Sequence, residues 1–89
     1  MLTKQLEIIN PLGLHARAAA KLVQVSSRFA SQITIRLGEK NANAKSIMNV
    51  MMLAASRGTF INVSVEGEDQ DEAFDEVIAL IEDGFGEME

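Results

Sequence analysis

Cysteine is absent from the 89 residues, so no disulfide framework and no thiolate metal site can be built, which fits a reducing cytoplasm. No apolar run is long enough to span a bilayer. Met1-Leu2-Thr3-Lys4 passes straight into alternating residues with no apolar leader segment, so neither membrane insertion nor a secretory signal is expected. Bases are scarce, eight Lys and Arg against thirteen Asp and Glu, for a net charge of -5. All the acids except Glu7 and Glu39 fall at or beyond Glu66, whereas the bases run from Lys4 to Arg57. That polarity argues against nucleic acid as the main partner, because binding there rests on neutralising phosphates with a basic surface. Acidic protein surfaces remain able to dock on the basic end. Repeats, linkers and low-complexity segments are lacking too. With 47% hydrophobic residues, the length predicts one domain over residues 1–89 with one modest core.

What is present alternates between strand and helix patterns. From Lys4 to Ile9, Leu6 and Ile8 alternate with Gln5 and Glu7, the mark of a strand with one wet face. A loop follows, then a helix to about Ser27 with Ala19, Leu22 and Val23 at helical spacing. Gln32 to Leu37 alternates clearly, with Ile33, Ile35 and Leu37 on one side. After the Gly38-Glu39 turn, the polar run Lys40 to Asn43 reads as a short edge strand. Ser46 to about Leu53 reads as a second helix with Ser46 as N-cap. Thr59 to Glu66 is the last strand, with Ile61, Val63 and Val65 facing one way. Asp69 stands three positions before Glu72, the spacing of a capping box, ahead of the stripe Phe74, Val77, Ile78 and Ile81. The order βαββαβα, with one-sided strands and helices, predicts an α+β open-faced β-sandwich. Its three helices should cover one face of a four-stranded, mainly antiparallel sheet.

The stretch Asn10-Pro11-Leu12-Gly13-Leu14-His15-Ala16-Arg17-Ala18-Ala19-Ala20 organises the rest. Its first half is loop chemistry, with the one proline and a permissive glycine, and its second half is helix chemistry. The one histidine therefore sits where a loop becomes a helix, with Arg17 beside it. The first amides of a helix lack internal partners and carry partial positive charge, so the spot suits an anion. A cation there is misplaced by roughly 0.3–1 kcal/mol, unless an anion visits. The same field favours the neutral imidazole, the nucleophilic form. Imidazole, free amides and guanidinium together describe a place to receive a phosphoryl group. The same residues also fit an ordinary helix start with a polar surface histidine and a solvated arginine.

Gly13-Leu14-His15-Ala16-Arg17 followed by Ala18-Ala19-Ala20 resembles the active-site signature of the histidine-containing phosphocarrier (HPr) family of the bacterial phosphoenolpyruvate-dependent phosphotransferase system. The likeness extends to Ala44-Lys45-Ser46-Ile47-Met48, to Gly58 and to the Glu66-Gly67-Glu68-Asp69 turn. Where the family usually has proline this chain has Ala18, which suits a helix start equally and supplies an amide. The resemblance implies a carrier, not an enzyme in its own right. His15 would accept a phosphoryl group from an enzyme I-type donor and pass it to an enzyme IIA-type acceptor, with Arg17 and the amides of Ala16 and Arg17 steadying it. No cofactor or metal is expected, since no acidic cluster stands near His15 in the sequence. The chain is expected to be cytoplasmic and monomeric.

Ile47, Met48, Val50, Met51, Met52 and Leu53 are too many apolar residues for one short helix to bury. Val50 and Leu53 suit the core, and an exposed methionine surface suits docking to differently shaped partners. The resemblance implies a partner surface at Leu14, Ile47, Met48, Met51 and Met52. It also implies that Ser46, beyond capping, is open to a serine kinase, whose phosphate would put negative charge beside the apolar patch. Ala18, the Met51-Met52-Leu53-Ala54-Ala55 run and the Gly84-Phe85-Gly86-Glu87 tail look like the nitrogen-related rather than the sugar-transport branch. Two readings from other classes stay open, a transfer-inactive regulatory domain of this fold and a small phosphate-binding hydrolase.

Overall fold

The computed structural model describes residues 1–87. Its elements are β1 (Leu2–Glu7), α1 (Ala16–Ser26), β2 (Gln32–Leu37), β3 (Lys40–Asn43), α2 (Ile47–Met52), β4 (Phe60–Glu66) and α3 (Gln70–Glu82), closed by a 3₁₀ turn at Gly84–Gly86. The strands form one sheet in the order β1-β4-β2-β3, and every neighbouring pair is antiparallel. The open-faced α+β arrangement expected from alternation is the one observed. β1 begins and ends two residues earlier than its pattern implied, because Ile8 leaves the ladder to bond Thr59 and Gly58 through its backbone.

Register explains why the sheet has one dry face. In β4, Ile61, Val63 and Val65 are fully buried, and Ile61 faces Leu6 of β1 while Val63 and Val65 face Ile35 and Ile33 of β2. Their neighbours in sequence point to the wet side, where Gln32 and Arg36 are exposed. On the edge strand β3 only Ala42 is buried; its exposed Lys40, Asn41 and Asn43 blunt an edge that could otherwise pair with another chain.

The helices close the dry face. α1 buries Ala18, Ala19, Leu22 and Ser26, and the alanines let it lie close to its neighbours. Val23, expected inward, is half-buried, because the stripe follows the i, i+4 row through Ala18, Leu22 and Ser26. α3 buries Ala73, Val77, Ile78 and Ile81, with Phe74 half-buried.

The capping box expected at α3 is not formed. Asp69 occupies the N-cap position but makes no side-chain cap bond. Its carboxylate instead accepts from the amides of Ala30 (2.8 Å) and Ser31 (2.9 Å) and from the Ser31 hydroxyl. Three donors at the entry to β2 outweigh one local amide, and the Ser31 hydroxyl above all, followed by the Ala30 amide, holds the carboxyl below its ordinary pKa. Gly67 makes the approach possible, since a Cβ there would sit 2.6 Å from the Ser31 Cα.

Candidate functional site

The loop before α1 is fixed by backbone bonds and one glycine. Gly13 donates to the Asn10 carbonyl (3.1 Å) and Leu14 to the Ala55 carbonyl (2.9 Å). A Cβ at Gly13 would lie 2.4 Å from that Ala55 oxygen, and φ there is +65°, so only glycine allows the two loops to close on each other. The closure drives Leu14 into the core, 5% exposed. This corrects the expectation that Leu14 belongs to a partner surface: its side chain packs inside, while Leu12, two residues earlier, is 73% exposed.

His15 is the N-cap of α1, with extended backbone angles. Its Nδ1 accepts from the Arg17 amide at 3.3 Å, in the manner of a capping serine. An amide can donate only to an unprotonated nitrogen, so Nδ1 carries the lone pair and Nε2 carries the hydrogen. Nε2 lies 2.6 Å from Oε2 of Glu87. The acid comes from the far end of the sequence, so the local sequence around His15 gives no sign of it. Seventy-two residues of chain separate the two side chains, yet the fold brings the tail back across the start of α1.

The acid is held as firmly as the ring. Glu87 Oε1 accepts from Asn10 Nδ2 (2.9 Å), which also donates to the Gly13 carbonyl (2.7 Å). Asn10 is fully buried and both its partners are acceptors, so the orientation of its amide is settled. The Asn10 amide, more than the His15 ring or the Lys21 charge, holds the Glu87 carboxyl below its ordinary pKa against the opposing effect of burial. Upstream, the Phe85 side chain is 1% exposed and its carbonyl accepts from Lys21 Nζ at 2.6 Å. Phe85 has φ +57°, a conformation costing roughly 1–2 kcal/mol for a residue with a Cβ. Burying the ring returns about 1.5–3 kcal/mol, enough to hold the turn closed.

The result is an open cleft of about 470 Å³ lined by Pro11, Leu12, His15, Ala16, Arg17 and Glu87. Arg17 is exposed on its rim, and its side chain has no hydrogen-bond or ion-pair partner among the described residues. The expectation that the Arg17 amide stands free is corrected, since the ring already occupies it. The Ala16 and Ala18 amides, also in the first turn, have no hydrogen-bond partner among the described residues. The arrangement thus offers an aimed nitrogen lone pair, unpaired amides and a guanidinium around one accessible space.

A family-wide sequence profile described as the PTS HPr component phosphorylation site matches residues 2–83. The chain belongs to the HPr family of phosphocarriers. It is 48% identical to the phosphocarrier protein HPr of Cupriavidus necator over 89 residues, the whole of both chains. With that of Xylella fastidiosa the identity is 51% over 87 residues, 98% of each. The crystal structure of HPr from Thermoanaerobacter tengcongensis superposes with a TM-score of 0.95 at 46% identity, covering all of both chains. Phosphocarriers of this family serve the phosphotransferase system without being catalysts in their own right. No helix among the described residues is long and apolar enough to cross a membrane.

Beside the HPr-type histidine loop stands α2. Ser46 is its N-cap and accepts from the Asn49 amide at 3.3 Å. Val50 and Leu53 are buried, while Ile47, Met48, Met51 and Met52 are exposed, Met48 and Met52 by two-thirds or more. Leu12 is a further exposed apolar side chain, on the wall of the cleft. The α2 residues were named from the sequence, whereas neither the exposure of Leu12 nor the contact of Glu87 with His15 was; Leu14 was named through the resemblance, and nothing local marks Glu87.

Proposed function

We propose that this HPr-family chain, one domain over residues 1–89, is a cytoplasmic, monomeric relay. It takes a phosphoryl group from the phosphohistidine of an enzyme I-type protein and hands it to an enzyme IIA-type acceptor. The observation that carries the reading is the His15 Nδ1 lone pair, presented at the start of α1 in an open cleft beside Arg17. Nδ1 is the attacking atom, because Nε2 bears the hydrogen. Attack uses up the lone pair that the Arg17 amide was bonding, so that amide is released at the moment a phosphoryl oxygen arrives to accept it. The Ala16 amide is its neighbour in the first turn, and the Arg17 guanidinium supplies the charge. Positioning and electrostatics do the work, shared with the partner, and no step calls for a metal or cofactor.

Ile47, Met48, Met51 and Met52, with Leu12 in place of Leu14, form the surface on which donor and acceptor dock in turn; deformable methionines suit two differently shaped partners. Phosphorylation of Ser46 by a serine kinase would put about -2 charge next to that surface and weaken docking. Ala18, the Met51–Ala55 run and the tail favour the nitrogen-related branch, which relative phosphorylation rates with enzyme I of each type would decide. The test of the relay is incubation with phosphoenolpyruvate and enzyme I, followed by mapping of acid-labile phosphate. Label should appear on His15 and vanish in His15→Ala; label retained in that variant would end the proposal.

A further inference from the structure

Glu87 has no part in the relay as just derived, yet it makes the shortest contact to the ring. Its carboxylate joins the buried Asn10 amide to His15 Nε2, and the turn that carries it is anchored by the Phe85 side chain and the Lys21 ammonium. So elaborate a tether is more than an exposed tail requires. We propose that Glu87 is a positioning residue for phosphoryl transfer, holding His15 in the Nε2–H form with Nδ1 aimed into the cleft and balancing the charge the ring acquires. The inference rests on the relay reading of His15.

The step balances without an added co-reactant. The Nδ1 lone pair forms the new N–P bond, and the donor's P–N bond breaks with its electron pair returning to the donor's own ring. Nε2 keeps its hydrogen throughout, so the phosphorylated ring is cationic. Glu87 Oε2, already 2.6 Å away, is the counter-charge. Onward transfer reverses the sequence: the N–P electrons return to Nδ1 and the ring becomes neutral, still donating to Glu87. A carboxylate in this place resembles in logic the acid that orients a catalytic histidine in hydrolytic triads, where it fixes tautomer and rotation without taking the proton.

Glutamine is the informative substitution. Glu87 offers one oxygen to Asn10 and the other to His15, whereas the single carbonyl oxygen of an amide cannot serve both in the same geometry. Nitrogen-15 NMR of the unphosphorylated ring should show the Nε2–H tautomer in the wild-type chain and a mixed population in Glu87→Gln. Initial rates of labelling by enzyme I should fall about tenfold in kcat, the order of loss when an orienting partner is removed, with KM for the donor unchanged. Glu87→Asp, which keeps both acceptors on a shorter arm, should recover part of that loss. A wild-type-like tautomer or rate in Glu87→Gln overturns the role, as does a change confined to KM. No label on the wild-type chain would overturn the relay itself, and this role with it; equal labelling of wild type and Glu87→Gln overturns only the role of Glu87.

Discussion

The starts of α1 and α2 are built alike and used differently. Each opens with a polar side chain in extended backbone that accepts an amide of the first turn, His15 from Arg17 and Ser46 from Asn49, both at 3.3 Å. At α2 the cap is local and complete, and the helix it starts leaves Ile47, Met48, Met51 and Met52 in solvent. At α1 the capping atom is also the proposed nucleophile, and its ring is bonded on the far side by Glu87. One helix start serves stability and leaves its surface adaptable; the other keeps a reactive atom in a fixed direction. On the proposed relay the cap bond is given up during the reaction, and the Glu87 carboxylate is then what holds the ring.

The strongest way to break this contrast is to exchange the functions of neighbouring leucines. Leu14→Ala should destabilise the fold by about 2–5 kcal/mol, because Leu14 is buried where the loop closes on Ala55. Leu12→Ala should leave stability within about 0.5 kcal/mol and raise KM for the phosphoryl donor, since its side chain is exposed at the cleft. Denaturant midpoints and labelling kinetics of the pair read both effects. If Leu12→Ala unfolds more readily than Leu14→Ala, the division between core and docking surface is wrong.

A milder effect is expected at the ordinary cap. Ser46→Ala removes the acceptor for the Asn49 amide and should lower stability by about 1 kcal/mol while leaving the maximal labelling rate of His15 intact. Ser46→Asp keeps the cap and adds one negative charge beside the methionines, so it should hold stability and weaken donor binding. Thermal unfolding separates the two variants. A fall in kcat rather than a rise in KM for Ser46→Asp would mean that the two helix starts are chemically coupled.

The contrast also marks what could be read from the sequence. The strands were legible because Ile33, Ile35, Ile61, Val63 and Val65 alternate with polar residues, and alternation is a local consequence of the pleat. Ser46 was legible because a cap and its amide lie three residues apart. His15 with Arg17 was legible as a helix start, and the likeness to phosphocarriers gave it a chemistry. Glu87 and Asp69 were not legible. Their partners lie 72 and 38 residues away, at distances fixed by how α3 crosses the sheet rather than by any spacing. Leu14 was misassigned for a related reason: which of two leucines turns inward depends on the Gly13 contact with Ala55, which belongs to another loop.

Asp69 gives the smallest expected effect and extends the comparison to the start of α3, where the residue in the cap position caps nothing. Its carboxyl is held below its ordinary pKa by the Ser31 hydroxyl first and then by the Ala30 amide. A carboxyl with a depressed folded-state pKa favours the native state wherever it is ionised in both states, that is, above its unfolded value of about 4. As pH falls through the lower folded value, the native carboxylate must also be protonated, and the contribution disappears. The difference in denaturant midpoint between the wild-type chain and Asp69→Asn should therefore be constant near neutrality and shrink on the acid side of about pH 4. Taking the difference removes the parallel acid sensitivity of Glu87, which is lowered in the same direction. A gap that stays constant to low pH would show that the ionised form contributes nothing. The bond to Ser31 would then be no more than a neutral hydrogen bond, and the start of α3 would be held by packing of Ala73 and Val77 alone.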